Sequence, residues 1–533
     1  MQGLFIQYIF LIMIILALVM IANRLRVAYP IVLVLGGLLL SVTSAFSRIT
    51  IDPEYVFFIF LPPLLYEAAW QVSWKEFWKW RRVITSFAFP IVIITSCVIA
   101  FASQTLIPGF TWALGFLLGG IISPPDAVSA TTIMRQVKVP KSLMSIIAGE
   151  SLLNDASSLI VFRFAVVAVA TSQFDFGKAA TSFFVVIVMG SLIGLAIGAI
   201  FYAIHRLMPT TANVETVLTL LTPYCMYYAA EHFNFSGVLA VVSGGLLLSS
   251  KRQIMLDFQS RMEAINVWTN VVFVMNGLVF MLIGLQLPSI ISQLGETSLT
   301  NAIWYGVVIS LILIFTRLAC TFGAAIFTRI MSNFITVADA NPGWKEPLIS
   351  GWAGMRGVVS LAAALSVPLI VSGGQPFPYR NLILFITFIV ILFTLVLQGL
   401  TLPWLIHKVK LEDKFSNMPE QQQETGIQKK LAQVSLTFLQ NKYGNGEIQN
   451  EHLDNLFTRL QLELKVHQQN FYSSEGQTED SLTSYRRIYL ELLEEQRKLL
   501  EGMNRRTEID EELVRKYLSL IDLEEFKIRE KLI

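Results

Sequence analysis

Residues 142–171 read SLMSIIAGESLLNDASSLIVFRFAVVAVAT. This stretch is apolar enough and long enough to cross a bilayer as a helix, yet it carries Glu150, Asp155 and Arg163,. A carboxylate at the bilayer centre costs about 2.5–3.5 kcal/mol even on the mildest scale. A chain keeps such a group where an ion, a proton or a partner charge offsets that cost.

Four polar residues of this stretch share one broad face of the predicted helix, at about 100° per residue: Glu150, Ser151, Asn154 and Asp155,. Polar groups that converge at mid-membrane depth indicate a cation site. Asp155 is the first candidate because a carboxylate binds a small hard cation when ionised and a proton when neutral. The alternative role for Asp155 is a structural hydrogen bond to a neighbouring helix.

The composition divides the chain in two. Of the 533 residues, 54% are hydrophobic and 15% are charged, against roughly 25% charged in soluble domains. The charges crowd after Leu411, which predicts a membrane domain over about residues 1–407 and a soluble tail over about 408–533. No basic patch indicates nucleic acid, and the cysteines form neither a metal-ligand spacing nor a plausible disulfide framework: Cys97, Cys225 and Cys320,.

A spanning helix needs about 20 apolar residues, and the chain holds about thirteen such segments,. The segments lie near residues 4–22, 30–47, 53–71, 83–107, 111–134, 142–171, 180–204, 214–231, 236–250, 263–287, 301–328, 347–371 and 381–406. The sequence therefore predicts an all-α, polytopic membrane protein.

The positive charges predict the orientation. If the N-terminus is outside, the outer loops hold only Arg48, Lys178 and Arg380, and the inner loops hold most of the remaining lysines and arginines that precede the tail. This positive-inside bias predicts a multi-pass protein of the plasma membrane with an outer N-terminus and a cytoplasmic C-terminus. No basic region precedes the first apolar segment, so we interpret it as a membrane helix and not as a signal peptide.

Two segments are interrupted. Segment five contains Ser-Pro-Pro-Asp at 123–126, and segment twelve contains three glycines around Arg356 at 351–357. With segment seven as a linker that crosses the membrane, the other twelve form two inverted six-helix halves in which five and twelve correspond. Broken helices at corresponding positions mark the midplane site of a transporter.

Further site candidates surround these breaks. Interrupted backbone frees carbonyl oxygens, here those of Pro124 and Pro125, to bind a cation. Asp126 is either a ligand or an N-cap of the second half-helix, and both roles could coexist. Ser151 offers a hydroxyl to the ion or to its own helix. Glu67 either reaches the site, directly or through water, or lies near the membrane edge.

Arginines inside the membrane need counter-ions. We expect Arg356 to pair with Glu150, which would anchor segment twelve to segment six and leave Asp155 free to titrate. The alternative is that Arg356 pairs with another carboxylate. Arg163 and Arg317 are also intramembrane, and the sequence assigns them no partners.

The tail is helical in pattern. Apolar residues recur every three to four positions, and Thr507 with Asp510 forms a capping-box signal; the apolar residues are Leu453, Leu456, Phe457, Leu460, Leu464, Leu513, Val514, Tyr517 and Ile521,. We expect amphipathic helices that pack on each other or on a second subunit, with a solvated appendage as the alternative. No histidine lies in a nucleophile arrangement and no phosphate-binding loop is present, so we expect neither an enzyme nor a cofactor.

Six motifs in order resemble the monovalent cation/proton antiporter family 1, the Na+/H+ exchangers: LPP at 61–63, SPPDAV at 123–128, GESLLNDA at 149–156, SGVLA at 236–240, GMRG at 354–357 and QGL at 398–400. The length and helical pattern of the tail resemble the bacterial branch of this family. The Asn154-Asp155 pair inside its helix is the most specific element. The resemblance implies thirteen helices, inverted repeats, a homodimer and elevator-like alternating access that serves pH homeostasis.

The resemblance also assigns residues. The family's ion-site aspartate falls on Asp155, the aspartate of its crossed helices on Asp126, and its buried ion pair on Glu150 and Arg356. Pro125 stands where the family usually has threonine, so a carbonyl ligand survives, the hydroxyl is lost, and the choice among Na+, K+ and Li+ stays open. Asn154, in place of a second aspartate, resembles the electroneutral branch. We therefore expect exchange of a monovalent cation for a proton, with a channel or a membrane ion sensor as alternatives.

Overall fold

The fold is taken from a computed structural model of the chain. The structure describes residues 2–25, 27–41, 53–135, 137, 139–171, 176–208, 211–292, 294, 298–334, 337–339, 341–371, 374–411, 420–443, 453–461, 464, 478–504 and 511–530. Packing separates two compact units, Met1–Asp413 and Lys414–Ile533.

The described part of the first unit consists of helices and their connections, with one isolated β-bridge between Ile370 and Pro376. Its helices are α1 Gln2–Leu25, α2 Tyr29–Ser41, α3 Pro53–Gln71, α4 Trp74–Ser86, α5 Val92–Leu106, α6 Trp112–Ile122, α7 Ala127–Met134, α8 Lys141–Thr171, α9 Phe176–Leu207, α10 Ala212–His232, α11 Gly237–Met255, α12 Phe258–Leu285, α13 Leu287–Ser292, α14 Leu299–Met331, α15 Lys345–Trp352, α16 Val358–Leu365 and α17 Arg380–Val409.

Each predicted apolar segment coincides with a helix or with a pair of half-helices. Among the described residues, seven helical stretches are long and apolar enough to cross a membrane: Trp74–Leu106, Trp112–Met134, Lys141–Thr171, Thr181–Leu207, Phe258–Ser292, Leu299–Met331 and Arg380–Val409. The all-α membrane fold is confirmed, and the number of crossings, thirteen, stays a prediction.

The fourth segment is longer than predicted. It starts at Trp74 and continues from α4 to α5 through a π-helical turn, Phe87–Ile91, that contains Pro90. A proline inside a helix removes a backbone donor, and a π-turn accommodates the change. Ser157 of α8 donates to the Ala88 carbonyl at 2.5 Å and so ties α8 to this turn.

Both predicted breaks are confirmed. The first half-helix, α6, ends at Ile122, because the two prolines that follow have no N–H to donate,. The second half-helix, α7, begins after Asp126. In segment twelve, α15 ends at Trp352 and α16 begins after Gly357, so the chain between them is not helical.

The helices pack in two groups. α1–α3 pack chiefly with α9–α12, and we call these seven helices the scaffold group. α4–α8 pack on one another and on α14–α17, and we call these the site group. Backbones approach closely inside each group, for example where Gly37 meets Gly284 between α2 and α12, and where Gly119 meets Ser96 between α6 and α5. Such small-residue contacts let membrane helices pack as rigid pairs.

The tail unit contains α18 Glu420–Tyr443, a helix at 453–461 (α19), α20 Thr478–Asn504 and α21 Glu511–Glu530. α20 packs on α21, and Arg497 of α20 donates to Asp522 of α21 at 2.6 Å. Val514 is buried, whereas Tyr517 is 56% exposed, so the predicted apolar stripe is only partly covered in this chain. The predicted capping box at Thr507 and Asp510 lies outside the described residues.

Candidate cation and proton site

The two breaks meet in the middle of the site group. The Asp126 N–H, at the end of the first break, donates to the Met355 carbonyl of the second break at 2.7 Å. The Arg356 N–H donates to the Thr394 hydroxyl of α17 at 3.2 Å. Backbone groups that the helices leave unpaired are therefore satisfied across the crossing, as buried N–H and C=O groups must be.

Asp126 caps α7. Its Oδ1 accepts from the Val128 N–H at 3.0 Å, and its Oδ2 accepts from the Ser129 hydroxyl at 2.7 Å. Negative charge is favoured at a helix N-terminus. Gly357, which precedes α16, lies directly against the Asp126 carboxylate, and an added Cβ would overlap it. The carboxylate therefore lies where two half-helices begin, and the N-cap interpretation is correct for this residue.

Arg356 lies at the other pair of helix ends, fully buried. Its Nε donates to the Ile122 carbonyl at 2.8 Å, a terminal nitrogen donates to the Ser123 carbonyl at 3.0 Å, and the other donates to the Gly354 carbonyl. α6 ends at Ile122 and α15 ends just before Gly354, and helix C-termini carry partial negative charge and unpaired carbonyls,. The guanidinium charge offsets the partial negative charge at both helix ends, and its N–H groups pair the free carbonyls.

The predicted Glu150–Arg356 pair is wrong. Glu150 is held by Arg317 of α14, with two N–O distances of 2.8 and 2.9 Å. Both side chains are buried, at 1% and 3% exposure. Arg356 does not need the carboxylate, because the half-helix carbonyls already surround its charge. Gly354 makes room for Arg317, since a Cβ at that position would overlap its side chain.

Asp155 is different from the other charged groups of the crossing. It is 5% exposed and lies one helical turn after Ser151, which contacts the first break,. In the described part of the chain its carboxylate has neither a hydrogen-bond partner nor an oppositely charged partner. A buried carboxylate without a partner is strongly disfavoured in its ionised form. Among the described residues of the site, the ionised Asp155 carboxylate therefore carries a charge that the protein itself leaves uncompensated.

Hydrogen bonds of Asn154 and Ser151 connect α8 to the first break. The Asn154 amide nitrogen donates to the Pro125 carbonyl at 3.3 Å, and the Ala127 N–H donates to the Ser151 hydroxyl at 3.4 Å. The Asn154 amide oxygen is buried and has no partner within the described residues. Carbonyl, hydroxyl and amide oxygens are thus gathered beside Asp155, and oxygen atoms are the ligands that hard cations prefer.

Glu67 is placed apart from this cluster. Its carboxylate accepts from the Gln71 side chain, and Gln71 in turn accepts from Arg135 at 3.1 Å. Glu67 and Gln71 lie on α3 of the scaffold group, whereas Arg135 ends α7 of the site group. No described contact joins Glu67 to Asp155, so the structure brings together Asp155, Asp126, Ser151 and Pro125 and leaves Glu67 at the edge.

Two of the ion-pair partners, Arg317 for Glu150 and Glu231 for Arg163, are not predicted from the sequence. Arg317 lies in an apolar segment, and its need for a counter-ion is the sequence signal that points toward Glu150,. Arg163 of α8 donates to Glu231 of α10 at 2.7 Å, and Glu231 also accepts from the Gly237 N–H at 3.1 Å. Glu231 falls at the end of the eighth predicted segment, so nothing in the sequence marked it as a partner.

The chain is similar to known transporters over most of its length. The family model described as sodium/hydrogen exchanger, transmembrane, matches residues 10–408. An uncharacterized Na+/H+ exchanger of Mycobacterium bovis is 28% identical over 511 residues, which are 95% of this chain and 93% of that protein. A protein of Bacillus pumilus named sodium, potassium, lithium and rubidium/H+ antiporter is 32% identical over 390 residues, which are 71% of this chain and 58% of that protein.

A solved structure supports the fold. The sodium proton antiporter MjNhaP1 from Methanocaldococcus jannaschii matches with a TM-score of 0.61 at 18% identity, over 77% of this chain and 100% of that one. At 18% identity this match supports the helical architecture and no conclusion about function. The family match over residues 10–408 carries the rest: the chain belongs to the sodium/hydrogen exchanger family of membrane cation/proton antiporters.

Proposed function

We propose that this antiporter exchanges one Na+ for one H+ at Asp155 by alternating access, without net charge movement. The single observation that carries the proposal is the unpartnered, buried Asp155 carboxylate beside a crossing whose other charges are matched. Glu150 is matched by Arg317, Asp126 by helix N-termini, and Arg356 by helix C-termini,.

This charge balance makes the two ligands exclude each other. With Asp155 ionised and empty, the site holds an uncompensated buried charge, which costs several kcal/mol. Either a proton or a cation removes that charge, and both together would restore an imbalance of opposite sign. A site that must be filled by one or the other whenever it crosses the membrane exchanges them one for one.

The cation ligands we propose are the Asp155 carboxylate, the Asn154 amide oxygen, the Ser151 hydroxyl and the Pro125 carbonyl. Asp126 contributes through the field at the helix ends and as a ligand through its remaining lone pairs. Glu67, which has no described contact with Asp155, reaches the site through water. The matching family model is described as a sodium/hydrogen exchanger, so we expect Na+ as the main substrate. The name of the Bacillus pumilus relative also includes potassium and lithium, so we expect K+ and Li+ to compete.

We further propose a plasma-membrane homodimer with an outer N-terminus and a cytoplasmic C-terminus. The positive charges of the predicted inner loops support the orientation. The tail, about residues 408–533, then regulates or dimerises the transporter, because the proposed site residues all precede it.

Proton flux in proteoliposomes tests the function, with Na+, K+ and Li+ gradients applied separately. An antiporter moves protons only when a cation moves the other way, and an electroneutral one is insensitive to an imposed membrane potential. Conduction of either ion alone would show a channel, and cation binding without flux would show a sensor. Either result would overturn the proposal.

A further inference from the structure

An ion pair joins the two helix groups. Arg163 lies on α8, eight residues beyond Asp155 in the same helix, and α8 packs on α4, α6 and α7 of the site group. Its partner Glu231 lies at the end of α10, which packs on α9, α11 and α12 of the scaffold group. The terminal Arg163 nitrogen lies 2.7 and 2.5 Å from the two Glu231 oxygens.

Glu231 is positioned for this contact. Its Oε1 also accepts from the N–H of Gly237, the first residue of α11, at 3.1 Å. A helix N-terminus favours a negative charge, so the carboxylate belongs firmly to the scaffold group. The arginine is the part that comes from the other group.

The exposure of this pair sets it apart from the buried one. Arg163 and Glu231 are 42% and 29% exposed, whereas Arg317 and Glu150 are 3% and 1% exposed. Separating a buried pair leaves both charges without a partner, whereas Glu231 keeps its hydrogen bond from the Gly237 N–H when Arg163 leaves,. Glu150–Arg317 therefore acts as a permanent anchor within the site group, and Arg163–Glu231 can break and re-form.

A second polar link crosses between the groups at the opposite end of the protein's helices. Arg135, which follows α7, donates to Gln71 at the end of α3. α8 runs from Lys141 to Thr171, so Arg135 is near its start, and Arg163 is toward its end. The two links therefore lie on opposite sides of Asp155 along α8, which is where closures on the two faces of an alternating-access site would lie.

We propose that Arg163 and Glu231 form a latch that closes the path to Asp155 on the side of the α8 C-terminus, and that this latch must open in each transport cycle. The latch rests on the proposed alternating access at Asp155. In the proposed orientation it closes the outer face. Arg163 is a positioning residue: it sets which face is closed and does not bind the transported ion.

Cross-linking tests the latch in the full-length, reconstituted protein. The background replaces Cys97, Cys225 and Cys320 with serine, and the test variant adds Arg163→Cys and Glu231→Cys. A flexible, reducible bis-thiol cross-linker then joins the two positions. We expect sodium-driven proton flux to fall to the level of protein-free liposomes and to recover on reduction, with no loss of thermal stability in the cross-linked form.

A pair inside the scaffold group is the matched control. Arg206 of α9 donates to the Ile254 carbonyl of α11 at 3.4 Å, and both residues are exposed. Cross-linking Arg206→Cys to Ile254→Cys should leave flux unchanged, because neither helix moves relative to the other. Loss of flux in the test pair alone supports the latch.

Two results would overturn it. The first is full flux in the cross-linked Arg163→Cys, Glu231→Cys protein. The second is that the cross-linker does not join the two cysteines, although a thiol reagent labels each of them in the corresponding single-cysteine variant. The cysteine-free parent separates these from failure of the proposed function. If the cysteine-free parent shows no cation-driven proton flux while the native chain does, the three native cysteines are restored one at a time before the cross-linked pair is tested. If the native chain itself shows no such flux, the proposed function has failed.

Discussion

The buried Glu150–Arg317 pair gives the sharpest stability prediction. Replacing Arg317 with glutamine removes two charge-assisted hydrogen bonds, at 2.8 and 2.9 Å, and leaves a carboxylate that is 1% exposed. Breaking a buried pair in this way costs about 3–5 kcal/mol. That is about a hundred-fold to a few thousand-fold in the ratio of folded to unfolded protein, since each 1.4 kcal/mol is about tenfold.

The double variant Glu150→Gln, Arg317→Gln should be more stable than Arg317→Gln alone by about 2 kcal/mol, because replacing both charges removes the unpaired carboxylate. The measurement is the free energy of unfolding in mixed detergent micelles. The matched control is Arg329→Gln, an exposed arginine on the same helix α14. Surface substitutions of that kind change stability by about 0.5 kcal/mol or less.

A double-mutant cycle compares the single and double variants and gives the coupling energy of two residues. Cycles of Glu150 with Arg317 and of Glu150 with Arg356 distinguish the observed pair from the one that the sequence predicts. The coupling energy of Glu150 with Arg317 should exceed its coupling energy with Arg356. If the double Glu150→Gln, Arg317→Gln variant is no more stable than Arg317→Gln, the pairing described above is incorrect.

Three further predictions follow from the crossing and the tail. Gly357→Ala should reduce or abolish exchange, because the new Cβ overlaps the Asp126 carboxylate; wild-type flux in a folded Gly357→Ala protein would contradict this contact. Thr394→Val should cost about 1–3 kcal/mol of stability, since it leaves the buried Arg356 N–H without its acceptor,; an unchanged unfolding free energy would mean that the N–H has another partner. A chain that ends near residue 415 should keep cation/proton exchange with a shifted pH dependence or a weaker dimer; loss of exchange in a folded, inserted truncation would place the tail within the transport machinery.

Much of the architecture could be predicted from local pattern. The apolar segments report burial in lipid directly, and each coincides with a helix or a broken helix. The breaks followed from prolines and glycines, which act on their own backbone. The burial of Asp155 could also be predicted, because an ionisable side chain on a membrane helix faces the interior of the helix bundle and not the lipid,.

The pairing of charges could not be predicted in the same way. Of the three intramembrane arginines, Arg163 lies on the same helix as Glu150, and the sequence positions of Arg317 and Arg356 do not say which of them faces α8. The choice depends on where the helix ends fall, because the carbonyls that end α6 and α15 satisfy Arg356 and leave Arg317 for the carboxylate. Glu231 was missed for a similar reason, since its partner comes from a distant helix.

The central claim is that one unpartnered carboxylate, Asp155, carries both ligands in turn. The most direct test is Asp155→Asn in proteoliposomes, with cation-driven proton flux measured beside the native protein and a melting curve to show that the variant is folded. The amide cannot exchange a proton for a cation, so we expect flux at the level of protein-free liposomes. Flux near the native rate in folded Asp155→Asn protein would contradict the account.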